Sequence, residues 1–279
     1  MNWWQAIILG IVEGLTEYLP VSSTGHLLVI QQLLGIGVAD ESSKVAADAY
    51  AICIQGGAIV AVLGLYYRRV KQMAVGLMGK NPDGLRMAMN ILAGFLPAAF
   101  IGLALNDLIK SYLFGVWPII AAWLAGGIAI LVVAHHRKKQ GETVRTGLEL
   151  DQLTWQMALI IGFAQCIAMW PGISRSLITI VGGMFVGLRL AAAVEFSFLL
   201  GVVTLGAATC YDGLKHGEEM LNYYNPTEML LGFVLAFVSA VLAIKWMVSY
   251  LNNHGMAIFG YYRIGIATVV AIMVLLGVL

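Results

Sequence analysis

At 279 residues, the chain is 60% hydrophobic and only 11% charged, with a formal net charge of +1. A soluble domain carries about a quarter charged residues, so an ordinary water-soluble fold is excluded, and nothing in the charge balance calls for a nucleic-acid partner. Cys53, Cys166 and Cys210 all lie in apolar segments, which points to packing rather than to a disulfide framework or a zinc site.

The first residues, Met1-Asn2-Trp3-Trp4-Gln5, lack the basic start of a signal peptide, so this end is expected to be retained. An apolar stretch then covers about 3–34, but Leu19-Pro20-Val21-Ser22-Ser23-Thr24-Gly25 interrupts it. Proline removes a backbone donor and glycine relaxes the helix, so the stretch does not continue as one straight span. Full spans are predicted at about 46–67, 88–106 and 116–134, each close to the ~20 helical residues that cross a hydrocarbon core. A second interrupted stretch covers about 153–187, broken by Trp170-Pro171-Gly172-Ile173-Ser174-Arg175-Ser176, and spans at about 190–211, 227–250 and 256–278 follow. A helix broken at bilayer depth survives only where its free backbone groups face protein or a wet cavity. Both interrupted stretches therefore read as re-entrant helical hairpins.

Charge placement agrees with this count. Loops 68–87, 135–152 and 188–189 share one side and hold Arg68, Arg69, Lys71, Lys80, Arg86, Arg137, Lys138, Lys139, Arg145 and Arg189, ten of the sixteen Lys and Arg. The other side has Lys44, Lys110 and Lys215 among Asp40, Glu41, Asp48, Asp107, Asp212, Glu218 and Glu219. The basic side is cytoplasmic, which puts both ends of the chain outside. The first hairpin then enters from the exterior and the second from the cytoplasm.

Ala6-Ile-Ile-Leu-Gly10-Ile-Val-Glu13 matches Ala158-Leu-Ile-Ile-Gly162-Phe-Ala-Gln165, and a Pro/Gly/Ser break and three spans follow each. This is the pattern of an inverted-topology repeat, in which broken helices meet near the midplane. The predicted fold is one all-α integral membrane domain, 1–279, with six transmembrane helices and two re-entrant hairpins. One repeat covers about 1–135 and the other about 153–279, joined by a cytoplasmic loop, 136–152.

Ionisable residues at membrane depth are costly and mark function by default. Glu13 and Glu17 are spaced i, i+4, which puts both carboxylates on one helix face. Like charges that close ask for a cation between them. Ser22, Ser23 and Thr24 bring three hydroxyls to a helix restart, which either caps the helix or receives an anion. His26 follows within one turn as a candidate acid or base. On the second hairpin, Ser174-Arg175-Ser176 places an arginine between hydroxyls. Its partner is either a glutamate of the first hairpin or a phosphate, which a guanidinium holds through two parallel hydrogen bonds. Together these groups form a phosphoryl-transfer set, and their depth points to a lipid phosphate.

Glu13-Gly-Leu-Thr-Glu17-Tyr-Leu-Pro-Val-Ser-Ser-Thr-Gly-His26 and Pro171-Gly-Ile-Ser-Arg175-Ser resemble the two signatures of the undecaprenyl pyrophosphate phosphatases, the bacitracin-resistance family. Ile54-Gln55-Gly-Gly57, Glu195-Phe-Ser-Phe198 and Tyr262-Arg263 are similar as well, so the likeness covers essentially the whole chain. It implies hydrolysis of the C55 isoprenoid pyrophosphate to the monophosphate carrier on the outer face of the bacterial cytoplasmic membrane. It also implies a calcium or magnesium ion, a homodimer, and an inverted-repeat fold set among membrane lipids.

Carried over by motif position, Glu17, Ser23, His26 and Arg175 are catalytic. Glu13, Ser22, Thr24, Ser174 and Ser176 are the candidates to bind substrate, and Glu13 with Glu17 is the candidate metal pair. Leu177-Ile178-Thr179 stands where the family usually has Gly-Ala-Thr, and Gly187-Leu188-Arg189 shifts an arginine by one place, so Arg189 is given no substrate role. The acid-phosphatase-like lipid phosphatases require a histidine six residues after the arginine; Val181 stands there.

Two versions of the chemistry stay open. Either Ser23 attacks phosphorus with Glu17 or His26 as base, or one of those activates water. An inverted-repeat secondary transporter or lipid flippase is the alternative class, and the Ser/His adjacency argues against it. Gln55 reads as a helix–helix hydrogen bond. Arg263 either lines the cavity or reaches to the interface.

Overall fold

The computed structural model describes residues 1–141 and 143–279; the side chains of 106–111 and 219 lie outside the description, and with them the predicted exterior charges Asp107, Lys110 and Glu219. Eleven α-helices are described: α1 (Trp3–Thr16), α2 (Ser23–Leu33), α3 (Glu41–Leu65), α4 (Tyr67–Leu77), α5 (Pro82–Leu113), α6 (Val116–Lys139), α7 (Trp155–Gln165), α8 (Arg175–Phe185), α9 (Leu190–Tyr223), α10 (Pro226–His254) and α11 (Ala257–Leu275). Six of them, α3, α5, α6, α9, α10 and α11, are long and apolar enough to cross a membrane. They fall on the six predicted spans, and the protein is an all-α, multi-pass membrane protein.

Local chemistry sets the helix ends. Asp40 accepts the Ser43 backbone N–H at 2.6 Å at the start of α3. Asn81 and Asn225 cap α5 and α10, each followed by a proline in the first turn, where its missing N–H costs nothing. His136, Arg137, Lys138 and Lys139 end α6, where the helix dipole favours positive charge.

One element departs from expectation. Residues 68–87 read as a loop, but Tyr67–Leu77 forms α4, with Val70, Met73 and Gly76 turned inward and Arg68 and Lys71 exposed. Its apolar stripe is too short to stand out, and packing on the core stabilises it. Arg69 ties it down, pairing with Glu195 of α9 at 2.7 Å and with Asp151 at 3.1 Å. Arg189 pairs with Glu149 at 2.6 Å, which fastens the loop before α7 to the start of α9.

The helices pack in a pattern that exchanges the two halves. α1 lies against α10 and α7 against α5, while α3 pairs with α9 and α6 with α11. The matched glycines make the first two crossings possible. A Cβ on Gly10 would strike the backbone of Gly232, and one on Gly162 would strike that of Gly94. Small residues let helices approach closely where no water drives them together.

Both breaks share a conformation. Ser22 has φ 73° and ψ 99°, Ser174 has φ 77° and ψ 115°, and each caps the helix that follows through its own side chain. Positive φ in a non-glycine residue costs on the order of 1–3 kcal/mol and persists only where the surroundings impose it.

Candidate active site

The two tips interlock. Ser176 donates its hydroxyl to the carbonyl of Leu19 at 2.9 Å, and Ser174 and Ser176 share a hydrogen bond of 2.9 Å. Ser176 has one proton and gives it to Leu19, so Ser174 is the donor between the serines. Ser23 is the first residue of α2 and Arg175 the first of α8. Two helix N-termini, each with free N–H groups and a positive dipole end, therefore converge on one place. This arrangement favours an anion.

Glu17 is the hub. Ser23 Oγ donates a short hydrogen bond to its Oε2, and Gln55 Nε2 from α3 reaches the same oxygen at 3.4 Å. Arg175 Nη2, from the opposite hairpin, pairs with Oε1 at 3.1 Å. Of the alternatives open for the arginine, the glutamate partner is the one the structure shows. The carboxylate that orients the serine is thus held by the guanidinium that the motif assigns to phosphate.

Arg175 is itself positioned by groups that the sequence reading gave no role. Its Nη1 donates to the Ser197 carbonyl at 3.1 Å, and its guanidinium lies 5.5 Å from the Tyr18 ring centroid. Gly201 leaves the space that the guanidinium occupies. Thr179 bonds Ser197 Oγ at 2.6 Å and the Arg175 carbonyl at 2.9 Å. The departing segment after the motif costs no order here, because Leu177 is buried in the main core.

Glu13 sits one turn before Glu17, 1% exposed, and neither of its oxygens has a hydrogen-bond partner. A buried carboxylate without a partner is expensive, so this position calls for a cation or a proton. Among the described residues no group of three His, Cys, Asp or Glu forms a metal cluster. Two carboxylates suffice for a calcium or magnesium ion that completes its shell with phosphate and water, so the residues fit the implied cation.

Both ring nitrogens of His26 bond groups other than Ser23. Its Nδ1 lies 2.6 Å from the Ser22 carbonyl, so the proton is on Nδ1 and donates there. Nε2 then accepts from the Tyr262 hydroxyl at 2.9 Å, and Trp123 packs edge-on at 5.0 Å between centroids. The ring thereby braces the positive-φ serine. Thr24 is exposed where its neighbours in the tip are buried.

The structure thus gathers Glu13, Glu17, Ser22, Ser23, Ser174, Arg175 and Ser176 at the meeting of the tips, with His26 and Thr24 on its margin. Tyr18, Trp123, Ser197 and Tyr262 join them. Tyr18, Ser197 and Tyr262 stand within segments that carry the family likeness but had no role assigned, and Trp123 stands in an apolar run with no motif signal.

Comparison with known proteins adds an independent finding. The family model described as "Bacitracin resistance protein BacA" matches residues 6–269. A protein of Sorangium cellulosum named undecaprenyl-diphosphatase is 42% identical over 271 residues, covering 97% of this chain and 86% of that protein. Undecaprenyl-diphosphatase 2 of Rhodospirillum rubrum is 42% identical over 266 residues, with 95% and 93% covered. Undecaprenyl-diphosphatase of Nitrosospira multiformis is 40% identical over 275 residues, with 98% and 96% covered.

Proposed function

We propose that this chain, which belongs to the bacitracin resistance protein BacA family, hydrolyses undecaprenyl pyrophosphate to the monophosphate carrier lipid and phosphate. The single observation that carries the reading is the buried contact set at the tips: Ser23 on one oxygen of Glu17 and Arg175 on the other. A carrier needs groups that bind, but not a hydroxyl held by a base. The names of the relatives point the same way.

In the favoured sequence of steps, Ser23 Oγ attacks the terminal phosphorus and Glu17 takes its proton. The bond from phosphorus to the bridging oxygen breaks, and its electron pair leaves on the lipid monophosphate. Arg175 turns from Glu17 toward the equatorial phosphate oxygens, where charge develops. Water then displaces Ser23 from phosphorus; Glu17 returns its proton to Oγ, and the water's proton leaves with the inorganic phosphate. Glu13 and Glu17 are the residues to hold a calcium or magnesium ion, which when bound would offset the charge of the two carboxylates and the pyrophosphate. Contact with Glu17 rather than His26 favours Glu17 as the base.

The same reading sets the protein in the bacterial inner membrane, with both helix–break–helix units as re-entrant hairpins and the site open to the exterior. Its support is the concentration of lysine and arginine at the opposite ends of the spans and the exchanged packing of the two halves.

The test is phosphate release from a short-chain polyprenyl pyrophosphate by detergent-purified protein, with and without chelator, for wild type and Arg175→Ala. Release by wild type and loss in the variant by at least about a hundredfold are expected. An Arg175→Ala protein with full activity would sink the site assignment, and inactive wild type would sink the hydrolase reading.

A further inference from the structure

A helix break leaves backbone carbonyls without partners in their own helix. In the two tips such carbonyls belong to Pro20 and Gly172, which stand at equivalent places when Ser22 is matched to Ser174. One side chain serves both. Arg263 of α11 is 0% exposed; its Nη1 donates to Pro20 O at 3.2 Å and its Nη2 to Gly172 O at 2.8 Å.

The same guanidinium is seated on α6. Nη2 also reaches Ala122 O at 2.9 Å, and Nε reaches Trp123 O at 3.4 Å. These carbonyls are accessible because the residues four places on, Gly126 and Gly127, have no side chains to cover them. A Cβ on Gly126 would occupy the position of the guanidinium. Trp123 adds a bond of its own, from Nε1 to the Val21 carbonyl at 2.9 Å. The α6–α11 pair therefore acts as a brace that grips both hairpins by their backbones.

Pro20 lies three residues before Ser23 and Gly172 three before Arg175. The span between the two carbonyls thus sets how far the nucleophile stands from the phosphate-holding arginine. Only a guanidinium has a planar fork with five donors at fixed angles; an ammonium is a point with three. A lysine at 263 would hold one tip or the other, not both at a set separation.

We propose that Arg263 is a positioning residue for the hydrolysis, the clamp that fixes Ser23 and Arg175 against one another by binding one carbonyl in each hairpin tip. The role in turnover rests on the hydrolase reading above; the clamp itself does not.

The experiment compares wild type, Arg263→Lys and Gly126→Ala, the second of which displaces the guanidinium while leaving its charge. Backbone amide exchange is followed over residues 18–23 and 170–174 in the purified protein, and kcat and KM are measured in parallel. Exchange is expected to rise in both tips together in both variants. A misplacement of about 1 Å costs on the order of a hundredfold, so kcat should fall by ~10–100-fold while KM stays within about threefold. In an Arg175→Ala background the further loss on Arg263→Lys should shrink to about threefold or less, since there is then less to position. Exchange that rises in one tip alone, or in neither, overturns the clamp, as does unchanged kcat in both variants. If wild type releases no phosphate while both tips loosen together, the clamp stands and the hydrolase reading falls.

Discussion

Replacing Glu17 with glutamine keeps the shape of the hub and removes its charge. Two separate losses follow. The first concerns stability: the Glu17 and Arg175 side chains are 6% and 10% exposed, and removing one partner of a buried pair costs about 3–5 kcal/mol because the other charge stays uncompensated. Arg175 keeps its bond to Ser197 O and the face of Tyr18, so the lower end, ~3 kcal/mol, is the expectation. The second concerns chemistry. A positioned general base contributes about 10²–10⁴-fold, which at ~1.4 kcal/mol per decade is roughly 3–5 kcal/mol of barrier. The double variant Glu17→Gln/Arg175→Gln separates them. With both charges of the pair gone, it should recover most of the lost melting temperature and none of the turnover. Thermal unfolding in detergent and phosphate release on the same preparations are the assays. A Glu17→Gln protein that keeps more than about a tenth of kcat would refute Glu17 as the base, and a double variant no more stable than the single one would refute the ion-pair reasoning.

Ser23→Ala should abolish any phosphoenzyme trapped by acid quench, whereas His26→Gln, which touches only the brace at Ser22, should lower turnover and still trap it; trapping that vanishes in His26→Gln would make the histidine the base. Gly10→Val and Gly162→Val push side chains into the backbones of Gly232 and Gly94. Each should destabilise by about 1–3 kcal/mol or more, and thermal melts in which only one of the two matters would contradict the equivalence of the crossings. On the exposed end of α3, the Ser43 backbone N–H holds the carboxyl of Asp40 below the usual range. A lowered carboxyl stabilises the fold above the ordinary carboxylate pKa and loses that contribution as pH falls through the lowered one. The melting difference between wild type and Asp40→Asn should therefore narrow from neutrality toward acid; a difference that does not change with pH would disprove the charge-assisted cap.

Several parts of the molecule are legible in the sequence alone. Long apolar runs place α3, α5, α6, α9, α10 and α11, because in lipid a backbone must satisfy itself within its own helix. The breaks at Pro20–Gly25 and Pro171–Ser174 are equally plain, since proline and glycine act locally. Glu13, Glu17, Ser23 and Arg175 stand out because charge among apolar residues has few structural explanations. Arg263 was visible as a charge, but its task was not, because its acceptors at Pro20, Ala122, Trp123 and Gly172 are ordinary carbonyls that no residue type announces. His26 reads as an acid or base because two glutamates and three hydroxyls surround it in the chain, whereas its ring nitrogens bond the Ser22 carbonyl and Tyr262. α4 was hidden because a short amphipathic stretch gains its stability from what it packs on.

Residue order alone thus settles the solvent, the spans, the breaks and the chemical kinds of group at the tips, all of which depend on neighbours within a turn or two. Which groups meet is another matter. Glu17 and Arg175 are 158 positions apart, and their pairing exists only because each half packs its hairpin against the other. Crossing of the halves depends on glycine backbones in contact, at Gly10 with Gly232 and at Gly162 with Gly94. In an apolar surround, hydrophobicity drives helices into the membrane without choosing their partners. Close packing and the pairing of polar groups make that choice, and both are decided by shape in three dimensions.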